Sequence, residues 1–181
     1  MSERIIIAPY DASWPQIFAE LGTALRAALK PVALRIDHIG STAIPGLDAK
    51  PILDVQISVA SFEPLEAYRL PIESLGFSYR AGNDDLMKRY FREVPGERQT
   101  HIHVRRAGSW PEQFALLFRD YMRSHPEDAV RYAALKYRLA EQYGDDRVGY
   151  TDAKGPFIWE MMRKADAWAQ ESGWAAGPSD A

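Results

Sequence analysis

His101 and His103 stand two residues apart, and Arg105 follows at the same spacing. On a β-strand that spacing sends all three side chains to one face. Two imidazoles and a carboxylate can hold a divalent metal, or can carry protons near neutral pH. The plain alternative is a pair of hydrogen-bonded histidines on a sheet face. A carboxylate is available in Asp54, inside the apolar run Pro51 to Val59. Alternation there puts Leu53, Val55, Ile57 and Val59 on one face, and Asp54, Gln56 and Ser58 on the other. An acidic group in such a strand is costly unless it is paired or faces a cleft. A salt bridge to a nearby arginine therefore competes with a site role for Asp54.

A second pattern is His38-Ile39-Gly40-Ser41-Thr42, which leaves a predicted strand for a loop closed by Pro45-Gly46. Glycine lets a ligand approach the backbone, and the hydroxyls of Ser41 and Thr42 add donors, which together make a phosphate cradle. It is not a P-loop, because five residues separate Gly40 from Gly46 and leucine, not lysine, follows. Without other support a Gly-Ser after a strand is a tight turn. Lys50, Lys88, Arg89, Arg92, Arg98 and Arg105 crowd the same strands. They are solvated surface cations in the simpler reading and phosphate-neutralising groups in the sharper one.

The elements that must position these groups follow from periodicity. Ile5-Ile6-Ile7 reads as a short buried strand. Ser13-Trp14-Pro15-Gln16 has capping-box spacing, and Ile17, Phe18, Leu21, Ala24, Leu25 and Ala28 continue at helical spacing to about Lys30. Ser109-Trp110-Pro111-Glu112 and Ser124-His125-Pro126-Glu127 repeat the device before two more helices. Ile158, Met161, Met162, Ala165 and Trp168 mark a last helix. Between these lie predicted strands over 32–39 and 51–59, then a helix within 62–75 ended by Gly76. Strands over 77–80, 86–93 and 98–106 form an antiparallel meander turned by Pro95-Gly96. Phe118 and Tyr121 read as core, and Arg119-Asp120 as a surface or inter-helix pair. Tyr150 and Lys154, one helical turn apart, read as structural unless the fold brings them over a cleft. The expectation is one α/β (α+β) domain over residues 1–172 with a mixed sheet, a helical carboxy-terminal half and a frayed tail at 173–181.

Composition narrows the function. The 181 residues contain no cysteine, which excludes a disulfide scaffold, a cysteine zinc site and a thiol nucleophile. A net charge of −3 argues against a dedicated duplex-DNA binder. No apolar run approaches the ~20 residues of a membrane span, and the first residues lack the apolar core of a signal peptide. The cytoplasm is the expected compartment.

The order of motifs is more specific than any one of them. Pro9-Tyr10-Asp11, Trp14-Pro15, the run from His38 to Leu47 and Lys50-Pro51-Ile52-Leu53-Asp54 resemble the GrpB family. So do His101-Ile102-His103-Val104, Phe118-Arg119-Asp120-Tyr121, Lys136, and Tyr150 with Lys154. The resemblance runs from about Ile5 to Met162 and implies a fold similar to the nucleotidyltransferase superfamily; some members look fused to dephospho-coenzyme A kinase. That superfamily carries Gly-Ser, then Asp-x-Asp or Asp-x-Glu, then a third carboxylate on a later strand. Here Gly40-Ser41 leads to Asp54-Val55-Gln56, and the later strand offers His101 and His103. On this resemblance Asp54, His101 and His103 are the catalytic and metal-holding set, and Gly40, Ser41, Thr42, Lys50, Arg92 and Arg105 bind phosphate. The implied cofactor is a divalent metal, Mg or Mn, with Zn as the choice imidazole favours.

Gln56 departs from the pattern, and glutamine is a much weaker ligand than carboxylate for a hard cation. Three readings follow. One is a nucleotidyltransferase-like protein taking a nucleoside triphosphate or another small phosphorylated ligand with a metal. Another is a degenerate module binding a nucleotide or a coenzyme A-like ligand. The last is a metal-dependent phosphoester hydrolase.

Overall fold

A computed structural model describes residues 4–181. Its centre is a five-stranded mixed sheet: β1 Arg35–Ile39, β2 Leu53–Val59, β3 Phe77–Tyr79, β4 Arg89–Glu93 and β5 Thr100–Arg106. The strand order is β1-β2-β5-β4-β3, with β2 and β5 parallel and every other neighbouring pair antiparallel. The expected meander of β3, β4 and β5 is present. Its turn uses Gly96 at φ 94°, with Glu97 N–H donating to Val94 C=O at 3.2 Å.

The period-two pattern decides which face meets what. Ile36, Leu53, Val55, Ile57, Val59, Phe91, Ile102 and Val104 form an apolar face buried with helices α1 (Trp14–Leu29) and α2 (Glu66–Glu73). The opposite face is polar and carries Asp37, Asp54, Gln56, Ser58, Tyr90, His101 and His103. Helix α3 (Trp110–Ser124) packs on that face near β1 and β5. With α4 (Pro126–Tyr143) and α6 (Gly155–Ser172) it builds a second core around Leu117, Tyr121, Met161 and Met162. The short α5 (Arg147–Ala153) connects α4 to α6. No helix among the described residues is long and apolar enough to cross a membrane.

Several local expectations differ from the structure. Ile5-Ile6-Ile7 is not a strand: Ile5 is buried and donates its N–H to Gly144 C=O, Ile6 is exposed, and a bridge to Ala49 follows at Ala8. Ser13 makes no side-chain cap. Asp11 takes that role by accepting the Ser13 N–H at 2.8 Å, and Gln16 turns to Glu20. Glu112 does reach back past the start of α3, but to Gly108 N–H rather than to Ser109, while its other oxygen accepts the buried Ser58 hydroxyl. Helix α4 begins after His125, since Ser124 still belongs to α3 and donates to Asp120 C=O. Helix α2 is shorter than its apolar pattern, because the chain at Ser61–Glu63 is held in a turn by the Ser61 hydroxyl.

The largest difference is at the carboxy terminus. Residues 177–181 lie along the free edge of β1. Ile36 N–H donates to Ser179 Oγ at 2.8 Å, His38 N–H to Asp180 Oδ2 at 3.0 Å, and Ala181 N–H to Ile36 C=O at 3.1 Å. An uncovered edge strand leaves such groups unpaired, and the tail supplies the partners. Arg119 ties this arrangement together. It is 3% exposed, not a surface residue, and donates to Asp120, Asp180 and His38 C=O at 2.8, 2.8 and 3.1 Å. Buried Asp37 lies 3.8 Å from it and takes a two-point contact from Arg35.

Two outcomes follow. Breaking one partner of a buried ionic network costs about 3–5 kcal/mol. Arg119→Met should destabilise the fold by that amount in urea unfolding and expose residues 177–181 to proteolysis. Gly40 has φ 71° and ψ −170°, a region nearly confined to glycine, and a Cβ there would stand 2.6 Å from Asp54 Oδ2. Gly40→Ala should therefore cost about 1–3 kcal/mol in the same measurement, because the strained backbone and the carboxylate would both have to shift.

Candidate functional site

The parallel pairing of β2 with β5 sets Asp54 across from His101 and Gln56 across from His103. Asp54 and both imidazoles project from the polar face, and they meet. His103 Nε2 lies 3.2 Å and His101 Nδ1 3.3 Å from Asp54 Oδ1. One donor atom from each of the three residues falls within 4.8 Å of the others, the one such cluster among the described residues. Among the described residues no arginine forms an ion pair with Asp54. Burial works to raise the Asp54 pKa, but the hydrogen bonds from His101 and His103 outweigh it and hold the group well below the carboxylate range. Burial lowers the His103 pKa, against the pull of Asp54, in the direction of the neutral ring that a metal ligand requires. Tyr90 on β4 packs on both imidazoles, with ring centroids 5.6 and 5.3 Å away, and fixes their planes.

Above this cluster is a cavity of about 380 Å³ lined by Ser41, Lys50, Ile52, Asp54, His101, His103, Lys136, Tyr150, Thr151 and Lys154. Three lysines thus line a cavity with one carboxylate, Lys136 donating to Asp48 C=O at its wall. Lys50 comes from the loop before β2, Lys136 from α4 and Lys154 from the α5–α6 junction. Lys50 and Lys154 lie 5.0 and 4.7 Å from the Tyr150 ring centroid, and Lys136 lies 4.6 Å from that of Tyr132. These π-faces offset part of the cost of gathering like charges. The rest shows in the titration. Burial, and then Lys154, push Lys136 down to about 7, while burial, and then Lys50, push Lys154 down to about 8. Two buried polar atoms of the lining, the Tyr150 hydroxyl and His101 Nε2, have no hydrogen-bond partner among the described residues. Such atoms are rare unless a ligand or water serves them.

The residues singled out from sequence divide cleanly. Asp54, His101, His103, Ser41 and Lys50 meet at the cavity, and the Gly40 backbone passes directly over the Asp54 carboxylate. Thr42 does not join them. It is 1% exposed, donates its hydroxyl to Ile52 C=O, and bonds His38 Nε2 at 3.0 Å. His38 itself stacks on Phe18 on the apolar side, where burial lowers it to about 4. Arg92 is drawn to Glu93 at 2.8 Å, and Arg105 to Asp85 at 2.8 Å, so neither lines the cavity. Arg89 packs over Phe62 and Arg98 lines a different depression. Gln56 is buried and donates to Glu112 C=O at 3.2 Å, away from Asp54. Tyr150 and Lys154 are brought over the cleft, and Lys136 and Thr151 join from helices whose periodicity marks them only as helical.

The cluster fits one divalent cation: one carboxylate with two imidazoles is a donor set for Mn, Zn or Fe more than for Mg. Gln56 supplies no second anionic group, so a paired-metal arrangement of the superfamily type does not fit these residues.

Comparisons agree with the architecture. A UPF0157 protein of Pseudomonas aeruginosa is 38% identical over 167 residues, covering 90% of this chain and 68% of that protein. A dephospho-CoA kinase of Mycolicibacterium paratuberculosis is 32% identical over 195 residues, covering 93% of this chain but 47% of the kinase. The chain therefore spans about half the length of that relative. The crystal structure of GrpB from Enterococcus faecalis superposes with a TM-score of 0.81 at 32% identity, over 90% of this chain and 99% of that one. The Cid1 poly(U) polymerase, solved with MgGTP bound, matches at TM-score 0.51 and 16% identity, over 76% of this chain and 44% of that one, a likeness of fold alone. The profile of the GrpB protein family matches residues 4–164. On the family match over most of its length and the superposition on that crystal structure, the chain belongs to the GrpB family.

Proposed function

We propose that the protein binds a nucleotide, or a closely related phosphorylated ligand, with one divalent cation in the cavity over Asp54, and transfers a phosphorus-containing group. One observation carries this reading: three lysines from separate segments converge on the cavity that Asp54, His101 and His103 floor. Ammonium groups are point charges suited to phosphate oxygens. Asp54, His101 and His103 would hold the cation, which when bound supplies polarisation of a phosphoryl oxygen. The nucleotide-binding Cid1 neighbours share the fold and make the ligand class a natural one. They do not confer the activity.

A second reading, a binding module without turnover, is favoured by Gln56. Its amide is spent on the backbone at Glu112, where the superfamily keeps a second carboxylate. Isothermal titration with ATP, with and without Mn²⁺, tests the shared part. Binding should require the metal, and Asp54→Ala should weaken it by more than the roughly 10–100-fold that loss of an outer-shell partner costs. Metal-independent binding that the variant leaves intact would refute the assignment of Asp54. Metal-dependent release of pyrophosphate only when an acceptor is present selects transfer over the module.

The lysines give an independent signature. Lys136 and Lys154 titrate at about 7 and about 8 in the folded chain, against 10.5 when free. Between those values the unfolded chain binds more protons, so ligand-free stability should rise from pH 7 toward pH 10. A phosphate beside them favours the charged form, and binding at pH 8 should take up protons. Calorimetry at pH 8 in two buffers of different ionisation enthalpy reads that uptake directly. Lys136→Met and Lys154→Met should each reduce it, and no uptake in the wild type would mean that the lysines do not meet the phosphates.

A further inference from the structure

A second cavity of about 350 Å³ opens beside the first, and His103 lines both. Gln56 and Arg105 contribute from the sheet, Trp110 and Phe114 from α3, and Trp159 from α6. Trp110 and Trp159 are 63% and 56% exposed, unusual for the largest apolar side chain. They are not loose. Phe114 meets both edge-on, at centroid distances of 5.7 and 5.6 Å, and holds the two indoles across the opening. The cavity is poor in free charge, because Arg105 is spent on Asp85 and Met87 C=O and Gln56 on Glu112 C=O. An anion finds little here, and a flat, neutral ring finds three aromatic walls. Continuity through His103 ties that ring to the cation-and-lysine cavity.

We propose that this cavity takes a planar nitrogen heterocycle, the base ring of the phosphorylated ligand, stacked against Trp110 and Trp159 while its phosphate end passes His103. The inference rests on the nucleotide reading above and narrows it: the ligand is recognised at both ends, by charge at the lysines and by ring surface at the tryptophans. Sequence periodicity assigns Trp110 only to a helix start and gives Trp159 no role.

The test is calorimetry in Mn²⁺ with AMP, ribose 5-phosphate and inorganic tripolyphosphate, on the wild type, Trp110→Leu and Trp159→Leu. Both positions are exposed, so the variants should unfold at the wild-type temperature. Base-on-aromatic stacking corresponds to roughly 10-fold to 100-fold in affinity. The wild type should bind AMP tighter than ribose 5-phosphate by that factor. Each variant should lose most of the difference and keep its tripolyphosphate affinity. AMP binding no tighter than ribose 5-phosphate, or variants that retain the full advantage, would overturn the proposal. If tripolyphosphate and ribose 5-phosphate do not bind, but adenosine quenches tryptophan fluorescence in the wild type and not in the variants, the phosphate reading fails while the ring subsite stands. Variants that change only the sedimentation coefficient would identify the patch as a contact between copies of the chain and overturn the proposal.

Discussion

The candidate site depends on the parallel pairing of β2 with β5. That register sets Asp54 opposite His101 and brings His103 within 3.2 Å of the same carboxylate oxygen. A one-residue slip would send Asp54 to the apolar face beside Leu53 and Val55, where a carboxylate has no partner. The apolar set on the other side of both strands forbids that slip, since Val55, Ile57, Ile102 and Val104 are all fully buried under α1 and α2. Hydrophobic burial on one face thus fixes the geometry of a polar cluster on the other. The Gly40 turn completes the arrangement, because only a residue without Cβ lets the chain cross so close to Asp54.

Electrostatics around the cluster are unbalanced in a way that a purely structural role would not need. Two buried ionic centres elsewhere in the molecule are matched in charge. Arg119 meets Asp120 and Asp180, and Asp128 accepts from Tyr121, Arg131 and Lys164. Over Asp54 the count runs the other way, with three lysines lining a cavity that holds one carboxylate. Lys136 is driven toward neutrality by burial and then by Lys154, and Lys154 by burial and then by Lys50. Keeping them costs stability, since Lys136 is held by the neutral Asp48 C=O rather than by a paired carboxylate and a buried ammonium is costly without one. An anionic ligand reverses the sign of that cost. A ligand that carries several negative charges is the simplest agent that does so.

What the sequence made legible is what short-range periodicity controls. Alternation placed Asp54 and the two histidines on strand faces, and the turn chemistry of Gly40 and Pro95-Gly96 marked real corners. The motif order gave the family and fold, which no single element could. What stayed hidden is set by long-range packing. Lys136, Tyr150 and Lys154 reach the cavity from more than 80 residues downstream of Asp54, and a helical pattern does not say which sheet edge its polar face will meet. Arg92 and Arg105 were sound as strand cations, but their own neighbours Glu93 and Asp85 hold them. The tail after Ser172 reads as frayed because it lacks periodicity. Its order comes instead from unpaired groups on the edge of β1, which appear only once the sheet is assembled.

Gln56 joins these threads. Its side chain occupies the polar face between Asp54 and Ser58, where a second carboxylate would repel Asp54 and lie close to Glu112, whose carboxylate already takes Ser58 and the Gly108 N–H. A neutral amide avoids that repulsion and donates instead to the Glu112 backbone, which pins the first turn of α3 to the sheet. The pinned turn is the one that carries Trp110 and leads to Phe114, the walls of the cavity that shares His103 with the cation cluster. Departure from the two-carboxylate pattern is therefore not a simple loss. The same position that gives up a second anionic ligand anchors the helix that shapes the neighbouring aromatic surface, so charge and ring recognition are set by adjacent residues of a single strand.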